Sequence, residues 1–154
     1  MTGMTRWLDA DEQATWRAFL TATRALMDTL DRELQRDAGM PHAYYEILVR
    51  LSEAADHSLR MSDLADASGS SRSRLSHAVA RLEEWGWVRR EDCPTDRRGQ
   101  LAILTGKGFE TLATAAHGHV EGVRTHLFDA LTPAQVTQLR HISEAVIDAL
   151  EEDR

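Results

Sequence analysis

Between Ser70 and Arg81 the chain reads SSRSRLSHAVAR, with arginines at 72, 74 and 81, serines at 70, 71, 73 and 76, a histidine at 77 and no carboxylate. Guanidinium groups and hydroxyls donate hydrogen bonds to anions, and no acid within the run competes for them. The surroundings differ: the 154-residue chain carries a formal net charge of -7. From Ser68 to Gln100, seven arginines (Arg72, Arg74, Arg81, Arg89, Arg90, Arg97, Arg98) outnumber five acids (Glu83, Glu84, Glu91, Asp92, Asp96), a local +2 that leaves -9 for the remainder. The run is either a solvated helix face or a surface for something anionic. Overall acidity argues against a protein that coats nucleic acid indiscriminately, so any such binding must be local.

Positioning such groups takes a scaffold, and apolar periodicity supplies one made mainly of helices. Asp9 and Glu12 have the form of a capping box, and apolar residues recur from Trp16 to Leu34 until Gly39 stops the pattern. Pro41 suits the first position of a second helix, which uses Tyr44, Ile47, Leu48 and Leu51 and ends near Ala55. After the connector DHSLR, Ser62 is placed to cap a third helix through Ala67. The turn SGSS follows, with Gly69 available for a left-handed conformation. A fourth helix runs from about Ser71 to Trp85, turning Leu75, Ala78, Val79 and Leu82 inward, and Gly86 ends it. Two short helices across a tight glycine turn make a helix-turn-helix.

WVRRE and QLAILT favour strands. They are joined by DCPTDRRG, in which Pro94 and Gly99 are breakers and Cys93 is the one apolar side chain to bury: a hairpin with a long basic tip, or wing. Thr105 can cap the next helix, which carries Phe109, Leu112, Ala116, Val120, Val123 and Leu127. Thr132, Pro133 and Gln135 open the last, with Val136, Leu139, Ile142, Val146 and Leu150. A chain of this length with 42% hydrophobic residues supports one sizeable core. The terminal helices are too long for a small central module to cover, and a second copy of the chain is the simplest partner for their apolar stripes.

Other chemistry is weakly supported. His117 and His119 diverge on a helix, and no carboxylate is spaced to complete a metal site with His126, so these read as surface histidines and no metal is expected. TGKG at Thr105 lacks the spacing of a phosphate-binding loop, and no nucleophile motif appears, so neither an enzyme nor a cofactor is expected. The lone Cys93 agrees with a reducing compartment. It reads as an inert exposed thiol, with a redox switch activated by Arg90, Arg97 and Arg98 as the alternative. No apolar run approaches the roughly 18 to 20 residues of a membrane span, and the amino terminus lacks a signal-peptide core. A cytoplasmic protein with no membrane partner is expected.

The order of elements, with the motifs RMSDLADASGSSRSRLSHAVARLEEWGWVRRE and CPTDRRGQLAILTGKG and the helix start at Leu131 and Thr132, resembles the MarR family of winged helix-turn-helix regulators over nearly the whole chain. The wing's Asp-x-Arg and the Leu-Thr-x-x-Gly that follows fall at the family's spacing. The resemblance implies a mainly α fold: a winged helix-turn-helix lobe over 41–104 with a two-stranded wing, and long terminal helices, 7–38 and 105–150, forming a dimerisation region. It implies a homodimeric transcription regulator that binds a palindromic operator in double-stranded DNA, a repressor released by a small aromatic or phenolic effector. A protein-protein adaptor whose basic face meets an acidic partner is the alternative.

If the fourth helix is the recognition helix, Ser70, Ser71, Arg72, Ser73, Arg74, Ser76 and His77 lie on its outer or leading edge. Arg72 and Arg74 are then expected to read bases, since one bidentate arginine–guanine pair discriminates by about 1 to 3 kcal/mol. Ser71, Ser73 and Ser76 are expected to position the helix on phosphates, with His77 in either role. A carboxylate at Asp96 would repel phosphate, but in the family the wing aspartate pairs with an arginine and fixes its direction. Carried over, Asp96 orients, Arg98 reaches the minor groove, and Arg97 contacts phosphate or minor groove. Arg89 and Arg90 point to opposite faces of their strand, so only one can face DNA, and Arg81 is expected to support the lobe or a phosphate. Trp16, His42, Tyr44 and Tyr45 could line an effector crevice or be ordinary core; Arg124 and His119 are given no ligand role.

Overall fold

The computed structural model describes residues 5–96 and 99–152. Within them the order is α1 (Ala10–Ala38), α2 (His42–Glu53), β1 (Ser58–Arg60), α3 (Met61–Ala67), α4 (Arg72–Glu84), β2 (Val88–Asp92), β3 (Gln100–Leu104), α5 (Gly106–His126) and α6 (Pro133–Glu152). The chain divides into two compact units: Asp31–Glu121, and the residues up to Leu30 together with those from Gly122 on.

Helix starts follow local chemistry. Asp9 and Glu12 exchange backbone-to-carboxylate bonds, with Glu12 N donating to Asp9 Oδ1 at 2.8 Å and Asp9 N to Glu12 Oε2 at 2.9 Å, as a capping box requires. Thr132 and Gln135 repeat the arrangement at the start of α6. Thr105 Oγ1 accepts from Gly108 N at 3.0 Å and donates to the carbonyl of Gly86 at 2.7 Å, joining the start of α5 to the end of the α4 turn. Pro41 stands one residue outside α2 as its N-cap.

In the Asp31–Glu121 unit, Leu48 and Leu51 of α2, Leu64 of α3, Leu75, Val79 and Leu82 of α4 and Ala102 of β3 are almost completely buried around Met40. Two expectations are corrected here. Ser62 does not cap α3: the helix starts at Met61 after Arg60, which makes no side-chain cap bond, and Ser62 Oγ donates to Asp63 instead. The connector DHSLR contains a strand, β1, which pairs antiparallel with β3 and makes the sheet three-stranded in the order β1-β3-β2. Three residues are too few to display a period of two, so pairing with β3, not local pattern, makes β1 a strand.

In the other unit α6 buries no side chain. Trp16, Phe19, Ile142, Val146, Ile147 and Leu150 each keep half or more of their surface exposed. No helix among the described residues is long and apolar enough to cross a membrane.

Candidate nucleic-acid interface

The turn between α3 and α4 holds the arginine run in place. Gly69 takes φ +60°, which a side chain would disfavour, while Ser70 N donates to the carbonyl of Ala65 at 3.1 Å. Ser71 then caps α4, its hydroxyl accepting from Arg74 N at 3.3 Å. Because Leu75, Val79 and Leu82 face the core, Ser71, Arg72, Ser73, Arg74, Ser76 and His77 are exposed on the opposite side, with Ser70 half-buried at the turn.

Most other arginines of the lobe are engaged by acids. Arg90 turns toward α4, where its Nε lies 2.7 Å from Glu83 Oε2 and its backbone N donates to Oε1 of the same carboxylate. Arg89, on the opposite face of β2, pairs with Glu91. Arg81 pairs with Glu84 at 2.7 Å and lies over the Trp85 ring at 6.0 Å, in keeping with support of the lobe. Among the described residues, no carboxylate stands within ion-pair distance of Arg72 or Arg74. Beside Arg72 opens a cleft of about 430 Å³ to which Arg60, Ser62, Arg72, Ser76, Arg90 and Gln100, from five elements, contribute donors and Asp96 a carboxylate.

The wing turn is closed by its backbone. Cys93 N donates to Gly99 O at 2.9 Å, and Gly99 N donates back to Asp96 O at 3.0 Å. Arg60, which sequence reasoning left in the connector, donates through Nη2 to Thr95 Oγ1 at 2.9 Å and holds Nη1 3.8 Å from Asp96 Oδ2. No local signal marks it, because its position follows from the pairing of Arg60 with Leu101 across β1 and β3. Arg97 and Arg98 lie outside the described residues.

Cys93 is buried, 7% exposed, and not the exposed thiol expected from its place in a polar loop. The Thr95 hydroxyl, 3.4 Å from Sγ, holds the thiol below its ordinary pKa, and among the described residues the cation that adds to this is Arg60, not the expected Arg90.

The four aromatic residues considered for an effector do not form one set. Tyr44 packs against Trp85, which packs against Trp87, at centroid distances of 5.6 and 4.7 Å. Trp16 belongs to the other unit, beside Phe19. His42 and Tyr45 come together around His119, 5.3 and 4.5 Å from its ring, in an open recess of about 330 Å³ that Glu46, Arg50 and Glu53 also line. His119 is therefore not a surface histidine: it is half-buried, and its Nδ1 is buried without a hydrogen-bond partner. Burial and the neighbouring His42 push its pKa down, against the opposing charges of Glu46 and Glu33. Burial also raises the Tyr45 phenol. The described residues contain no group of three or more potential metal ligands.

The chain is 56% identical to Sco3205 of Streptomyces coelicolor, a MarR family transcriptional regulator solved in complex with DNA. That structure superposes with a TM-score of 0.91 over 95% of this chain and 92% of that one. AbsC, a MarR family transcriptional regulator of the same organism, is 44% identical, with a TM-score of 0.90 over 96% of this chain and 99% of that one. The transcriptional repressor MprA of Escherichia coli strain K12 is 29% identical over 114 residues, which make up 74% of this chain but only 64% of the repressor's length. The MarR family model matches residues 38–99, from the end of α1 into the wing. With helix-turn-helix and wing in place and this identity over nearly the full length of a known member, the chain belongs to the MarR family of transcriptional regulators.

Proposed function

We propose that the protein is a homodimeric, sequence-specific DNA-binding repressor that sets α4 into the major groove and the wing beside it. The observation that carries this reading is the pair Arg72 and Arg74, exposed at the start of α4 with no acidic partner among the described residues while the arginines around them are engaged. A charge left free at a helix N-terminal edge, next to hydroxyls that suit phosphate oxygens, has the chemistry of base reading with backbone positioning. In the carried-over assignment, Asp96 fixes the direction of an arginine, Arg98 enters the minor groove and Arg97 contacts phosphate or minor groove.

Dimerisation is supported by the unburied apolar face of α6. A two-fold pair presents its α4 helices to half-sites about one helical turn, or 34 Å, apart, and so selects a palindrome. His42, Tyr45 and His119 supply the aromatic and polar lining that a small phenolic or aromatic effector would use, and binding there would release the operator. Contact with chromosomal DNA, as proposed, supports a cytoplasmic location. Selection of genomic fragments by the purified protein is expected to enrich an inverted repeat, and aromatic acids are expected to weaken its retention. Retention of fragments without any shared sequence would overturn the reading.

A further inference from the structure

Arg60 ends β1, the strand beside the central strand of the sheet, and its guanidinium reaches across to the wing. Nη2 donates to Thr95 Oγ1 at 2.9 Å, and Nη1 stands 3.8 Å from Asp96 Oδ2. These two acceptors open the turn that the bonds Asp96 N to Cys93 O and Gly99 N to Asp96 O close. The same guanidinium lines the cleft with Arg72 and Ser76 of α4. One rigid, planar group thus stands where the sheet, the wing and the recognition helix converge. A lysine would hold the two acceptors less rigidly, because its ammonium is a compact charge on a flexible stem.

We infer that Arg60 is a positioning residue: it latches the wing turn to the sheet and so sets the wing's reach relative to α4. Its consequence for DNA rests on the function proposed above; the latch itself does not.

Hydrogen exchange on the full-length protein tests the latch without DNA. In Arg60→Ala, amides of residues 93–99 are expected to exchange about five- to tenfold faster, the range expected for losing one exposed ion pair and one hydrogen bond. Amides of α2 and α4 are expected to keep their rates, and Arg60→Lys to fall between. Footprints on a selected DNA fragment then test the positioning. Arg60→Ala is expected to lose hydroxyl-radical protection of the flanking minor grooves while guanines in the major groove stay protected from methylation.

Unchanged exchange at 93–99 would overturn the latch, and faster exchange throughout the lobe would reassign Arg60 to general stability. Flanks that stay protected in Arg60→Ala despite faster exchange would overturn the positioning role. Should the wild-type protein protect no DNA while the local exchange difference holds, the DNA-binding reading fails and the latch stands.

Discussion

Replacing Val146 with glutamate is expected to split the proposed dimer. Ile142, Val146 and Leu150 recur every fourth residue on α6 with Ile147 beside them, and their exposures are 61%, 52%, 63% and 53% respectively. Full burial of such a side chain stabilises by about 1.5 to 3 kcal/mol, so covering the exposed half of each contributes about 1 kcal/mol. Symmetry doubles the set, and eight half-burials give about 8 kcal/mol before α1 adds Trp16 and Phe19. Val146→Glu removes two of these contributions, about 2 kcal/mol, and desolvates two carboxylates at about 1 to 3 kcal/mol each. The total of at least about 4 kcal/mol weakens the dimer roughly a thousandfold. Sedimentation velocity across a dilution series reads the dissociation constant, and circular dichroism checks that the helices persist. A variant that stays dimeric at the same dilution as the wild type, with full helix content, would show that α6 is not the joint.

Arg72→Ala and Arg74→Ala are each expected to relax selection at one base pair per half-site, at about 1 to 3 kcal/mol, whereas Ser73→Ala weakens all sequences alike; equal losses on operator and random fragments would remove that division of labour. Gly108→Ala is expected to destabilise the lobe by about 1 to 3 kcal/mol or more, read as a lower melting temperature, because its Cβ would fall 2.1 Å from the carbonyl oxygen of Trp87, a backbone atom that cannot rotate away. The lowered pKa of His119 means that the unfolded chain takes up this proton first as pH falls. Its contribution is therefore complete above the ordinary histidine value of about 6.5 and is lost as pH falls from there through the folded pKa. Melting curves at pH 7.5 and 5 should differ less for His119→Phe than for the wild type, and an equal difference would count against the assignment.

The parts of the fold that could be read ahead of the structure are those in which a few adjacent residues decide. The capping boxes at Asp9 and Thr132, the cap at Thr105 and the turn at Gly69 each rest on chemistry within three or four residues, and each forms. The inward set Leu75, Val79 and Leu82 follows from the helical repeat and leaves Arg72 and Arg74 outside by exclusion. What stayed hidden depends on residues distant in sequence. β1 exists through β3, 41 to 45 positions away by register, and Arg60 acquires its role only once that pairing brings it to Thr95 and Asp96. Likewise Tyr44 and Tyr45 are neighbours in sequence, yet the helix sends one to Trp85 and the other to His119. Composition alone could not separate them.

The placement of acids explains how an acidic chain can present a cationic reading surface. Glu83, Glu84 and Glu91 lie within the segment that carries the arginines and pair with its Arg90, Arg81 and Arg89, while Asp96 of the same segment stands beside Arg60 of β1. These pairs are half-exposed and individually worth little to stability. Their effect on the field is larger, because a carboxylate held against a guanidinium contributes a short-range dipole where a free one would contribute a long-range repulsion of phosphate. Arg72 and Arg74 are then left as uncompensated charges on the face where helix geometry already exposes them. Discrimination between sequences should accordingly depend on those two side chains more than on the seven arginines as a group, and shortening Arg81, Arg89 or Arg90 should release a carboxylate as well as remove a cation.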